Sequence, residues 1–380
     1  MIELDERLRA GRDASAAAAE DLRGRALSVD ADPDDMARHF NTPVLTMVRT
    51  ICTPIAYRGE DADFGGWQFD NDSCLERVIG TMELARGDAG MLLATPGPAL
   101  AGIVVDVLAS PAQQEVFYRA IADGRTWTFF AMTEPARGND ATAMQTRLEK
   151  DGSGGYRLYG HKRYIGGGAR GGVGVVFART GPSPLSIRAV LVRPEGLPGW
   201  QARRLDMVGL RGAYLSELDF DGVPIAEDMI LGQHLSPTRR GMWGAMRTFN
   251  NMRVQVACMA LGTALGMYEQ VCALRPGAPG AELAGLRLEA ARQLVYAAAA
   301  SVDENSEQAY FPSVAKLSCT PLAIATARWA AKALGPAGLL EHPLLEKWYR
   351  DVHAFEFMEG TTNIQRLHVA HGYLKGVGHE

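Results

Sequence analysis

The chain has 380 residues, enough for two or three domains that each bury a core. Apolar residues make up 47% and charged residues 22%, and the formal net charge of -5 gives no reason to expect nucleic acid or an anionic membrane as a partner. The five cysteines (Cys52, Cys74, Cys258, Cys272 and Cys319) are odd in number, widely spaced and without a C-x-x-C pair, so reduced thiols in a cytoplasmic protein are expected rather than disulfides or zinc. The opening residues Met1-Ile2-Glu3-Leu4-Asp5-Glu6-Arg7 are charged, unlike a secretion signal. The longest uncharged run, Ala89 to Val105, carries Pro96 and Pro98 and reads as a buried helix with a break, too short to span a bilayer.

In chain order, residues 1 to about 27 are rich in Ala, Leu, Arg and Glu and predict a helix, followed by a loop over Asp30 to Asp35 with Pro33 opening a short helix. Residues 41–70, interrupted by Pro43, Pro54, Gly59, Gly65 and Gly66, give no clear element. Asp72-Ser73 predicts the cap of a helix from Cys74 to Arg86, with Glu76 completing a capping box. Further helices are expected over Met91–Leu108 and from Ser110-Pro111 to Ala122. The pattern then turns to short apolar runs separated by Gly, Pro, Asp and Asn. Strands are expected at Thr126–Met132, Ala143–Glu149, Tyr156–Gly160, Val173–Ala178, Ile187–Val192 and Leu215–Phe220, with a hairpin turn at Asp151-Gly152-Ser153-Gly154-Gly155. From Gly241 the chain is helical again: Met242–Leu274, Glu282–Glu307, Ser313–Leu334, Leu344–Phe357 and Thr362–Leu374, long segments with short links that predict a bundle. The implied division is 1–125 helical, 126–234 β and 235–380 helical.

Gly166-Gly167-Gly168-Ala169-Arg170-Gly171 matches G-x-G-x-x-G, but a strand rather than a helix is expected after it and no acidic residue stands about twenty positions on. A dinucleotide fold is therefore rejected, and a tight turn open to something flat is expected. His368 and His371, three apart on a helix, lack a neighbouring carboxylate, so no metal site is expected. Cys258 and Cys272 have no nearby His and read as core residues. The loop Thr133-Glu134-Pro135-Ala136-Arg137-Gly138-Asn139-Asp140 offers hydroxyl, amide and backbone groups suited to a polar heterocycle or a phosphate. At Phe357-Met358-Glu359-Gly360-Thr361, a lone carboxylate stands among apolar residues at a helix break, with Thr361 as the expected N-cap of the last helix. Poor solvation there would raise a carboxyl's proton affinity towards the range of a general base, but local sequence alone favours an ordinary surface glutamate beside a helix cap.

Together these segments resemble the acyl-CoA dehydrogenase family. Phe130-Ala131-Met132-Thr133-Glu134-Pro135 with Gly138-Asn139-Asp140 is similar to its flavin loop. Tyr159-Gly160-His161-Lys162-Arg163-Tyr164-Ile165 is similar to its β-hairpin, and Gly209-Leu210-Arg211-Gly212 with Leu218-Asp219-Phe220-Asp221-Gly222-Val223-Pro224 to its later β segment. Leu334-Gly335-Pro336-Ala337-Gly338 resembles its Gly-rich turn, and Met358-Glu359-Gly360-Thr361-Thr362-Asn363-Ile364-Gln365-Arg366 its Glu-Gly-Thr motif. The resemblance covers about Pro111 to Gly376 and is weak before residue 70.

It implies an N-terminal α-helical domain, a middle β-barrel-like domain and a C-terminal α-helical bundle, with FAD between the last two. By the same resemblance Phe130, Met132 and Thr133 line the isoalloxazine edge, and Gly138 and Asn139 belong to the phosphate side. Tyr164 and the Gly166 backbone lie along the ring. Gly335, Thr361 and Asn363 contact the adenosine half, partly across a subunit interface. Phe249, Asn250, Arg253 and Gly360 line the substrate site. Glu359 becomes the base that takes the α-proton of an acyl thioester, while flavin takes the β-hydride and an enoyl thioester results. Phe249-Asn250-Asn251-Met252-Arg253 offers no rival carboxylate.

Three departures accompany the resemblance: Gly166 replaces a hydroxyl residue, Asn139 replaces a serine, and the family's Arg-x-x-Phe-Gly loop gives way to Leu274-Arg275-Pro276-Gly277-Ala278-Pro279-Gly280. Arg275 is the candidate to take over that loop's hold on FAD. The divergence, residues 28–70 included, points to a thioester carried by coenzyme A or by an acyl carrier protein in a biosynthetic pathway. An electron acceptor such as an electron-transfer flavoprotein and a homotetramer or homodimer are further implications. Two other readings stay open: a flavin oxidase or monooxygenase on the same fold, and a non-catalytic homologue without FAD.

Overall fold

The computed structural model describes residues 2–59, 69, 73–152 and 154–377, so Asp72, Gly65, Gly66 and Ser153 lie outside the described residues. The N-terminal part holds α1 (Glu6–Ala31), α2 (Pro43–Ile51), α3 (Cys74–Ala94), α4 (Ala99–Leu108) and α5 (Pro111–Ile121). Ser73 and Ser110 accept hydrogen bonds from the backbone of Glu76 and Gln113, which places both helix starts where the sequence put them. Only Ser110 belongs to a full capping box; the carboxylate of Glu76 instead pairs with Arg7 at 2.6 Å. The uncharged run breaks at residues 95–98, where α3 and α4 meet at 80°. Within 41–70, α2 emerges where no clear element is expected, starting at Pro43 and burying Val44, Leu45, Met47 and Ile51.

The middle part is one curved sheet of seven strands: β1 (Trp127–Ala131), β2 (Arg147–Lys150), β3 (Tyr156–Ile165), β4 (Gly171–Arg179), β5 (Ile187–Val192), β6 (Trp200–Arg204) and β7 (Ser216–Ile225). Its order is β1-β4-β2-β3-β7-β6, with β5 also paired to β4. Alternation on β4 sends Val176 and Ala178 to a core wrapped by the sheet and Val173, Val175 and Phe177 to a second core shared with α4 and α5. Six of the strands overlap the short apolar runs that predict them, although β2 begins only at Arg147, because Ala141–Ala143 form a 3₁₀ turn where the start of that strand is expected. The seventh, β6, is a polar edge strand whose residues from Gln201 to Arg204 are exposed, so no period-two pattern announces it.

The C-terminal part holds α6 (Met242–Leu274), α7 (Ala281–Glu304), α8 (Tyr310–Leu334), α9 (Pro336–Glu341), α10 (Pro343–Asp351) and α11 (Thr362–Leu374). By length and composition α6 could cross a bilayer, but most of it is buried as the central core helix of the bundle. The helix expected over Leu344–Phe357 stops at Asp351, and α9 fills a stretch the sequence reading left as a turn.

The three parts are clamped at one buried point. Asp88 is non-helical inside α3 and takes the N–H of Met91 at 2.6 Å. Its other oxygen receives Lys347 Nζ at 2.5 Å and Trp348 Nε1 at 2.9 Å, both from α10. Lys347 also meets Asp351 at 2.6 Å, and Asp351 accepts the Leu210 N–H of the β part at 2.6 Å. Buried charges persist only where paired in this way.

Candidate active site

The flavin-like loop leaves β1 and is pinned from below. Lys162 of β3, fully buried, donates to the Met132 carbonyl at 2.8 Å and to Glu134 at 3.1 Å. Glu134 in turn accepts the N–H of Gln145 and of Thr146 and the Thr146 hydroxyl, at 2.7, 2.8 and 2.6 Å. Burial pushes Lys162 down to about 8 despite its partner, while Lys162 and these donors, outweighing burial, hold Glu134 below the usual carboxylate range. With Glu134 and Lys162 spent inward, Gly138 and Asn139 stand exposed on the rim and Thr133 is half-buried. Beside the loop, Tyr164 takes a left-handed backbone (φ 63°) and leaves 53% of its surface open. Gly166 is exposed, and the turn after it leads into β4, so the G-x-G-x-x-G stretch lies between strands. Gly167 is required there: its φ is 66° and a Cβ would stand 2.9 Å from the Thr128 carbonyl.

Across from this rim lies the Glu359 turn. Glu359 itself has φ 53°, a left-handed conformation that costs a non-glycine residue roughly 1–2 kcal/mol, and Gly360 follows with φ 92°. Side chains from three helices hold the carbonyls around it. Arg253 of α6 reaches the Glu359 carbonyl at 3.4 Å, and Gln365 of α11 donates to the carbonyls of Glu359 and Gly360 at 3.1 and 2.8 Å. Lys316 of α8 donates to the carbonyls of Glu356, at 3.2 Å, and of Gly360. The Glu359 carboxylate itself is held by no hydrogen bond or ion pair among the described residues. Desolvation pushes it up to about 7, against the opposing charges of Lys316 and Arg253. The Glu359 N–H likewise has no acceptor among the described residues.

Thr361 is the first residue outside α11 but does not cap it with its side chain. Its hydroxyl donates to Asn139 at 3.2 Å, joining the Glu359 turn to the rim of the β part. The cap is Glu356, which accepts the Thr362 N–H at 2.9 Å and the Thr362 hydroxyl at 2.5 Å. The structure therefore brings Thr133, Asn139 and Tyr164 into one neighbourhood with Glu359, Gly360 and Thr361, linked through the Thr361–Asn139 bond and β3. Asn363 is exposed on the first turn of α11.

Several residues sit otherwise than expected. Phe130 and Phe249 meet edge to face at 5.8 Å, which joins the flavin loop to α6. Asn250 and Arg253, expected to line the substrate, are buried and spent on each other at 2.9 Å; Asn250 also holds the Ser306 carbonyl at 3.1 Å. Arg253 continues to His368 at 3.1 Å, and burial next to that cation pushes His368 down to about 4. The last helix is thus not a plain surface helix on this side. Met132 is buried in the core shared with α4 and α5 and its carbonyl is taken by the buried Lys162, so it is not an exposed edge of the loop. Arg275 donates to the Ala333 carbonyl, close to Gly335, at the far end of α8. Eighteen residues of helix separate Lys316 from Leu334, roughly 27 Å, so Arg275 and Gly335 form a separate place and not the wall around Glu359. Among the described residues no three His, Cys, Asp or Glu side chains gather as a metal site.

Lys316, Glu356 and Gln365 escaped the sequence reading. Lys316 carried a signal, since it is the sole charged residue between Tyr310 and Ala327 of an otherwise uncharged helix segment.

Two family models match the chain: the acyl-CoA dehydrogenase middle domain over residues 129–223 and the acyl-CoA dehydrogenase C-terminal domain over residues 281–374. A 3-sulfinopropanoyl-CoA desulfinase of Paraburkholderia xenovorans is 32% identical over 70% of this chain and 72% of its own length. The human mitochondrial short-chain specific acyl-CoA dehydrogenase is 30% identical over 79% of this chain and 76% of its own. The structure of butyryl-CoA dehydrogenase from Megasphaera elsdenii shares the fold with a TM-score of 0.82 and 24% identity, covering 98% of this chain and 100% of that one. On these matches the chain belongs to the acyl-CoA dehydrogenase family and is an FAD-dependent oxidoreductase of the kind acting on CH–CH donors.

Proposed function

We propose that this protein dehydrogenates an acyl thioester at the Cα–Cβ bond and that Glu359 is its base. The observation that carries the reading is the Glu359 turn: an unpaired carboxylate, poised near neutrality by desolvation, on a backbone fixed by Arg253, Lys316 and Gln365. A thioester α-proton is weakly acidic, so its base must be close, desolvated and aligned. The open Glu359 N–H is the donor suited to the thioester carbonyl oxygen, where negative charge grows as the proton leaves.

The residues opposite fit FAD by their chemistry. Tyr164 presents a half-exposed ring with the Arg163 guanidinium 5.2 Å from its centroid, Gly166 leaves backbone accessible with Ala213 O the nearest atom to a would-be Cβ at 3.6 Å, and Thr133, Asn139 and Thr361 supply hydroxyl and amide groups. Gly335 and Asn363 serve the same cofactor's far end in this reading. When bound, FAD supplies the acceptor for the β-hydride. Glu359 keeps the α-proton, and the product carries a Cα=Cβ double bond in conjugation with the thioester.

The same reading takes coenzyme A or an acyl carrier protein as carrier and a homodimer or homotetramer as the assembly. Leu340, 82% exposed near the Arg275–Gly335 end of the bundle, supports a neighbour there. The deciding experiment is Glu359→Gln. The variant should keep its yellow colour yet lose anaerobic bleaching by a panel of acyl-CoA thioesters by about 10²- to 10⁴-fold. Bleaching at the wild-type rate would remove Glu359 from the reaction.

A further inference from the structure

We infer that Lys316 is the positioning residue of Glu359, acting through the carbonyls on either side of it and through its own charge. This rests on the reading of Glu359 as the base. A left-handed glutamate persists only where its surroundings over-determine it. Here Glu359 is followed by a glycine and preceded by a 3₁₀ turn (Ala354–Glu356), neither of which fixes its backbone alone. Lys316 reaches across the turn from outside it, donating to Glu356 O before Glu359 and to Gly360 O after it. Arg253 and Gln365 hold the carbonyl of Glu359 from the other two helices.

Its charge matters separately. The ammonium faces Glu356 and Glu359 from the turn and Arg253 from α6; from α11 come neutral Gln365 and, behind Arg253, His368. The Glu356 carboxylate is already engaged by Thr362, so the unsatisfied carboxylate in that field is Glu359. Lys316 has taken carbonyl partners in place of a direct ion pair, so the base is stabilised through space and its oxygens stay free. Arg253 cannot lose its proton in the working range, whereas burial brings Lys316 down to about 8. The charge that favours ionised Glu359 is thus itself removable a little above neutrality, and the two titrations are coupled.

The test uses the FAD-loaded protein with ¹³C-labelled glutamate, the Glu359 signal being assigned by its loss in Glu359→Gln. Lys316→Met should raise the Glu359 titration midpoint by about one pH unit, tenfold in proton binding. The acid limb of butyryl-CoA bleaching should move by the same amount. Lys316→Arg, which keeps the charge, should hold the midpoint near the wild-type value. Lys316→Gln serves as the second neutral variant where Met does not fold. An unmoved midpoint in the neutral variants, or an equal shift in Lys316→Arg, overturns the proposal. The outcomes separate it from the assignment of function. A shifted midpoint in a protein that no acyl-CoA bleaches supports Lys316 and counts against dehydrogenation, while an unmoved midpoint in an active enzyme does the reverse.

Discussion

Two buried lysines flank the proposed site, and both are brought down by burial to about 8, yet they treat their carboxylates differently. Lys162 contacts Glu134 directly at 3.1 Å, and Glu134 takes three further donors that, with Lys162, hold it below the usual carboxylate range. Lys316 contacts two carbonyls and leaves Glu359 without a partner and raised to about 7. A closed ion pair is a fastening, because neither charge can change without breaking it. An open one leaves a carboxylate free to gain and lose a proton. The β part therefore invests its buried charge in the shape of the loop, and the bundle invests its own in reactivity.

Breaking the closed pair should produce the larger loss of stability. Lys162→Met strands Glu134 and frees the Met132 carbonyl, so a destabilisation of about 3–5 kcal/mol is expected, read as a fall in thermal or urea midpoint. Adding Glu134→Gln should recover a good part of it, since the second change removes the stranded charge. A Lys162→Met protein as stable as wild type would mean that the pair is not the fastening described here.

The open site should answer in the opposite direction. Glu359 is raised in the folded state, from an ordinary 4.5 to about 7. Its protonated form is therefore the one folding prefers. The stability it allows is fully present below pH 4.5, declines as pH rises from there to about 7, and stays reduced above. Glu359→Gln removes that penalty, so at pH 8 the variant should be more stable than wild type by up to about 3 kcal/mol, with the gain gone at pH 4. Denaturant titrations at the two pH values check it; a variant equally or less stable at pH 8 would deny that the carboxylate is strained by its surroundings. Such a gain on removing a reactive group is the expected cost of an active site.

What could be read in advance follows the range of the interactions. Helix starts at Ser73 and Ser110 depend on residues three apart, and strands such as Ile187–Val192 on a short, nearly continuous apolar run, so both were legible. The polar edge strand β6 owes its form to neighbours rather than to its own pattern, whereas α2 does carry one, with Val44, Leu45, Met47 and Ile51 buried at helical spacing inside a segment otherwise broken by Pro and Gly. Within the site, Glu359 reads locally as an ordinary surface glutamate beside a helix cap, and only the resemblance of the whole Glu-Gly-Thr stretch singles it out. The clamp through Asp88 and Lys347 joins residues 259 apart, and Arg253 and Lys316 reach the Glu359 turn from 106 and 40 residues away, separations at which no periodicity speaks; the third donor, Gln365, is only six residues on. Asn250 and Arg253 were placed on the substrate by position along α6, whereas their polar atoms are consumed inside the bundle.

The smallest effect concerns which residue starts α11. Local sequence favours Thr361, but its hydroxyl is turned to Asn139, and Glu356 holds the Thr362 N–H and hydroxyl instead. A carboxylate at a helix N-terminus gains from the exposed N–H groups and from the dipole, so Glu356→Ala should cost about 1 kcal/mol, as loss of a cap does. Thr361→Val should cost less than about 0.5 kcal/mol, being a half-exposed hydrogen bond between side chains. The contrast also probes the open pair. Lys316 binds Glu356 through its carbonyl, which Glu356→Ala retains, so the anchoring of the turn should survive. Removing the Glu356 carboxylate takes one negative charge from beside Lys316, and the lysine should titrate at a slightly lower pH. If Thr361→Val proved the costlier of the two, the helix would be capped as its sequence suggests, and the turn that presents Glu359 would be held from its C-terminal side alone.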